Sequence, residues 1–156
     1  MKKTLILILS IICIVSLTAC GKGNKNSDSS NMMSTVKDEI KNSGQSATFM
    51  CRFEAVQLAN QIYSDLITPM SNGEKVDFDT KKIVFEKQME HMECYFELFL
   101  EENDNDSGYK ALCDKCIANA NKVKSMFEDG TIDSEEGFNL LREWRDSLVD
   151  LRDAIG

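Results

Sequence analysis

The sequence predicts an all-α fold: an up-and-down bundle of three or four long antiparallel helices with a short leading helix. Three observations carry this expectation. Beyond residue 31, apolar residues recur at spacings of three and four, the period of a helix with one buried face. No stretch of four or more residues alternates apolar with polar between turn signals, as a half-buried strand does. The connections are short, and short loops between long amphipathic helices make sequential helices antiparallel neighbours.

The elements follow in order. Met33, Val36 and Ile40 give a short first helix that ends near Gly44. Cys51, Ala55, Leu58, Ala59, Ile62 and Leu66 form the stripe of a second, which Pro69 and Asn72-Gly73 are expected to stop. Phe49, Phe53, Val56, Tyr63 and Ile67 crowd its other side. That helix either sits centrally among several neighbours or presents an apolar docking patch.

A third helix runs from about Asp79 to Glu102, with Phe85, Met89, Met92, Phe96 and Phe99 on one face. Glu86, Glu90, Glu93, Glu97 and Glu101 lie opposite, and at this spacing they read as a solvated face, not as an acid and base held in a cleft. The fourth helix follows the acidic turn ENDNDSG and aligns Tyr109, Leu112, Cys113, Cys116, Ile117, Ala120, Val123 and Phe127. The fifth is expected to start at Asp133, with that carboxylate as cap and Glu136 completing a capping box. Its stripe is Phe138, Leu141, Trp144, Leu148, Leu151 and Ile155.

The first twenty residues, MKKTLILILSIICIVSLTAC, have a different character: two lysines, an uncharged run from Leu5 to Leu17, then small residues before a cysteine. This is the layout of an export signal. A helix over that run is roughly 20 Å long, short of the ~30 Å hydrocarbon core a spanning helix must cross. LTAC, Leu17 to Cys20, resembles the lipobox of bacterial lipoproteins at all four positions. The resemblance implies cleavage behind Ala19 and a diacylglycerol thioether on Cys20, which becomes the mature N-terminus. It covers the signal alone, and implies a protein held outside the cytoplasm on the cell membrane. Gly21 after the cysteine, where an acidic residue is absent, gives no sign of retention at an inner membrane.

The chain therefore divides into a signal over 1–19, a lipidated cysteine with a flexible tether over 20–31, and a helical domain over 32–156. The tether GKGNKNSDSSN has no apolar residue to bury. Cleavage leaves 137 of the 156 residues, and the loss of Lys2 and Lys3 takes the formal net charge from −8 to −10. So acidic a chain, without clustered Lys and Arg, excludes nucleic acid as a partner.

Six cysteines are encoded; Cys13 leaves with the signal and Cys20 is committed to lipid, so Cys51, Cys94, Cys113 and Cys116 remain. Cys51 and Cys94 lie nearly equally far on either side of Gly73, and Cys94 and Cys116 equally far on either side of Asn105. Antiparallel helices then bring all four to one height. Three readings compete. A thioredoxin-like redox pair needs its CxxC at a helix start after a strand, and LCDKCI lies inside a helix. A zinc or copper site could use the four cysteines with His91, and Met89 and Met92 would suit the softer ion. Disulfide staples suit an even cysteine count in an exported chain, with Cys94 to Cys116 and Cys51 to Cys113 the expected pairs. The leading functional expectation is a non-catalytic helical binding or scaffold module, stabilised by such cross-links and binding an envelope or secreted protein. No cofactor is expected, and zinc or copper is the alternative.

Catalytic signatures are sparse. One histidine cannot build the paired Glu-x-x-His of a di-iron bundle, and there is no GxSxG or phosphate-cradling glycine loop. Ser125 to Glu136 resembles the second half of an EF-hand calcium loop, but Ser125 and Phe127 occupy two of its ligand positions. An acidic turn before a capped helix explains the same residues.

Overall fold

A computed structural model describes the backbone from Lys25 and the side chains from Ser30 to Gly156. The signal, the lipobox and Cys20 lie outside the described residues. The described chain is all-helical, with five main helices: α1 (Lys25–Ser43), α2 (Ala47–Ile62), α3 (Phe78–Glu102), α4 (Ser107–Asp129) and α5 (Glu135–Ile155). The four longer-packed helices close a ring of neighbours: α2 against α3, α3 against α4, α4 against α5, and α5 back against α2. α1 lies outside this ring, laid on α3.

The apolar stripes meet inside the ring. Trp144, Phe85, Phe99, Ile62, Leu66, Leu141, Leu148 and Leu151 are fully buried. Phe85 and Trp144 meet edge to face with ring centroids 5.9 Å apart, an arrangement worth about 0.5–1.5 kcal/mol beyond the area it removes from water.

Three local features differ from the sequence expectations. α1 begins at Lys25, so part of the segment expected to be a flexible tether is helical. Once Val36 and Ile40 pack and the helix is nucleated, each further residue extends it at little cost, even where Ser and Asn are weak formers. Pro69 does not end the second helix. α2 instead widens into a π-helical turn over Tyr63–Ile67, where the Thr68 N–H bonds to the Tyr63 carbonyl, and closes with an α-turn over Thr68–Ser71. The wide turn makes room for the proline ring, which in a regular α-helix collides with the carbonyl four residues back. Gly73, at φ +69°, then reverses the chain.

The third difference is at the start of α5. Ser134, not Asp133, is the cap, its hydroxyl accepting from the Gly137 N–H. The residue at the capping-box position is therefore Gly137, and no box with Glu136 forms. Gly137 is glycine for a packing reason: a Cβ there would lie 2.2 Å from the Ile132 carbonyl oxygen. The calcium-loop resemblance also ends here, because Ser125 to Asp129 complete α4 and Gly130 caps it in the left-handed conformation.

Candidate functional site

Cys51, Cys113 and Cys116 project into the ring from α2 and α4, and all are buried free thiols. Burial pushes each thiol up, because a thiolate there would lose its water. Cys113 and Cys116 add to the effect on Cys51, and Cys116 adds to that on Cys113, so the three share one electrostatic neighbourhood. Cys113 is pushed up to about 12, and Cys116 to about 11 despite the nearby Ser147 hydroxyl and the charge of Lys115. Thiolate is the nucleophilic form, and burial disfavours it at each of these three sulfurs.

Cys94 stands apart. At about 100° per residue it is turned about 200° around α3 from both Met92 and Phe96. Those two side chains line an interior void together with Cys116, Leu58, Ala120 and Trp144. Cys94 is therefore on the other side of α3 from Cys116, and its pKa is raised by burial and then by Glu97, Glu93 and Glu90. Equal height along the axis brought the four cysteines together in the sequence argument; direction around the axis separates one of them. Among the described residues, no three His, Cys, Asp or Glu side chains converge to hold a metal ion. The ligand set of four cysteines and His91 is thus not assembled.

His91 has other work. Its Nε2 lies 3.0 Å from Glu39 Oε2 on α1, and the Tyr95 hydroxyl donates to the same oxygen at 2.7 Å. The two α3 rings meet edge on, with centroids 5.1 Å apart. Glu54 approaches from α2, close enough to act on both His91 and Tyr95. Burial pulls His91 down, but the hydrogen bond and charge of Glu39, then the charge of Glu54, outweigh it and hold His91 above 6.5. Burial pushes Glu39 up, but hydrogen bonds from His91 and Tyr95, then the His91 charge, hold it below 4.5. For Glu54 burial prevails over the attraction of His91, with repulsion from Glu39 added, and its pKa is raised.

The sequence reading missed Glu39, Glu54 and Tyr95. A signal was present: Tyr95 and Leu98 are large side chains off the main α3 stripe, which marks a second buried face. Their own burial class bears this out, with Tyr95 fully buried and Leu98 partly so.

Two further surfaces complete the survey. The outward face of α2 shows Phe49 and Tyr63 about half exposed, with Phe53 stacked on Phe49 at 6.5 Å and Val56 partly covered. This is the crowded second side of α2 seen in the sequence; Ile67, expected on it, is buried instead. At one end of the domain an open depression of about 300 Å³ is floored by Met70, Val76, Phe78 and Phe138 and rimmed by Glu74, Asp133 and Glu135.

No protein-family model matches the chain, and no curated protein or solved structure does either. Among the described residues no helix is long and apolar enough to cross a membrane.

Proposed function

We propose that the chain is a lipid-anchored extracytoplasmic protein whose helical domain is a binding or scaffold module with no chemistry of its own. The observation that carries the reading is LTAC at the end of an uncharged thirteen-residue run, followed at once by polar sequence and then by amphipathic helices alone. Two acyl chains give the firm anchoring that one does not.

The domain is read as an up-and-down bundle with antiparallel neighbours and α1 alongside. Ties at opposite ends support this: Thr48, opening α2, donates from its N–H and hydroxyl to Glu102, closing α3, while Lys81 near the start of α3 pairs with Asp65 beyond α2. Support for a non-catalytic role comes from the burial of Cys51, Cys113 and Cys116, which favours their protonated form. The partly exposed Phe49, Phe53 and Tyr63 suit contact with an envelope or secreted protein.

Of the expected cross-links, we keep Cys51 to Cys113 and give up Cys94 to Cys116, because Cys94 lies on the other side of α3 from Cys116. Forming one releases two hydrogens, whose electrons an extracytoplasmic thiol–disulfide oxidant accepts.

The deciding experiment is metabolic labelling with a fatty acid and membrane fractionation of the full chain beside Cys20→Ser. Label and membrane retention in the parent, both lost in the variant, support the reading. An unlabelled parent, or a variant that stays anchored, overturns it. Intact mass of the exported protein tests the staple: a deficit of two hydrogens, mapped to a peptide pair containing Cys51, supports it, and four free thiols overturn it.

A further inference from the structure

The cluster around His91 joins three helices and is the polar part of the seam that fastens α1, beside the buried Val36 and the partly buried Met33 and Ile40. We propose that it is a pH-operated latch: it holds α1 against the rest of the domain in mildly acidic surroundings and lets α1 go as the surroundings turn alkaline.

The geometry sets one titratable cation against two carboxylates. Glu39 comes from α1, Glu54 from α2, and His91 and Tyr95 from α3. With His91 protonated, the imidazolium donates to Glu39 and attracts Glu54. With His91 neutral, two partly buried carboxylates face each other across a group that no longer offsets their charge, an arrangement that costs free energy in a medium poorer than water. α2 and α3 cannot yield, because Cys51, Ala55, Ile62, Phe85 and Phe99 lock them into the ring. α1 can, since it lies on α3 outside the ring and can carry Glu39 into water.

The charges on the remaining elements act elsewhere. Lys124 of α4 acts on Glu93, about 200° around α3 from His91. Arg145 of α5 stacks over Tyr63, farther along α2.

The signs agree with this movement. His91, held above 6.5, contributes stability in full below pH 6.5 and loses it as pH rises through the raised value. Glu39, held below 4.5, contributes above pH 4.5 and loses it as pH falls through the lowered value. Glu54, held above 4.5, favours its neutral form when folded, so its ionisation loosens the cluster as pH rises. The latch is closed between pH 4.5 and 6.5, where both favourable groups act. If the chain is anchored as proposed above, release of α1 adds a nineteen-residue segment to the leash.

Hydrogen–deuterium exchange of the full chain in detergent, corrected for intrinsic exchange rates, tests the latch without reference to lipid. Between about pH 5.5 and about pH 8.5, α1 peptides are expected to lose protection while α4 and α5 hold theirs. His91→Gln is expected to remove the pH dependence and leave α1 poorly protected throughout. If circular dichroism shows that variant unfolded, Glu39→Gln takes its place: with one carboxylate left beside His91, α1 protection is expected to lose its pH dependence. Equal α1 protection at both pH values overturns the latch. So does a parallel fall in α5, or a folded variant that keeps the parent's response. Loss of anchoring in Cys20→Ser leaves every one of these outcomes unchanged, so the two proposals fail separately.

Discussion

α3 buries two faces of opposite kind. One carries Phe85, Met89, Met92, Phe96 and Phe99 into the ring, where they meet Trp144, Cys116 and Leu58, with Glu93 at the edge of the interior void. The other meets α1 through His91, Tyr95 and Glu39. The dry face is held by the removal of apolar surface from water, which does not depend on protonation and tolerates no loss of volume. The wet face adds to the burial of Val36 a set of directed bonds to a charge, and their strength is set by the solution around it. One helix thus combines a fixed attachment with a conditional one.

The largest expected effect breaks the dry face. Trp144→Ala is expected to cost about 3–5 kcal/mol by denaturant unfolding, because α5 loses its edge-on contact with Phe85 and leaves a cavity. That loss should be nearly the same on either side of pH 6.5; a strong pH dependence would show that the two faces are not separate. Next comes Gly137→Ala, expected to cost about 1–3 kcal/mol because the Ile132 backbone cannot step aside from a new methyl. An unchanged melting temperature would mean that the turn before α5 relaxes freely.

Tyr95→Phe sharpens the comparison from the wet side. It deletes a hydrogen bond to a carboxylate, and about 1–2 kcal/mol is expected, seen first as faster exchange in α1. The loss should be greater at mildly acidic pH, where the latch is closed, than in alkali. A loss spread evenly over all helices would place Tyr95 in the general core instead. The smallest effect is expected at Lys110 and Asp114, an exposed pair one turn apart on α4 that touches neither face: Asp114→Asn should change stability by no more than about 0.5 kcal/mol, less still in high salt.

The dry face could be read from the sequence because period alone encodes it. Phe85 to Phe99 and Leu141 to Leu151 repeat at helical spacing, and every one of them that defines a stripe finds the interior. The wet face could not. Glu39 and Glu54 have the look of solvated residues, and only the approach of α1 to α3 brings them to one histidine. The cysteines show a related gap, since chain counting gives height along a helix but says nothing of bearing around it. Cys94, which that count sets level with Cys116, lies on the other side of α3 from it. Pro69 was legible as a disturbance, but the sequence does not say whether a helix answers a proline by stopping or by widening.

That widening at Tyr63–Ile67 alters how the helix counts. A residue-by-residue substitution scan down α2 will find tolerant and intolerant positions in one phase as far as Ile62. Beyond it, at Leu66 and Ile67, the pattern resumes about one residue late, and any fitted single period will blur there. Removing one residue from the wide turn would bring the phases together and, in doing so, return the Pro69 ring to the collision that the wide turn avoids.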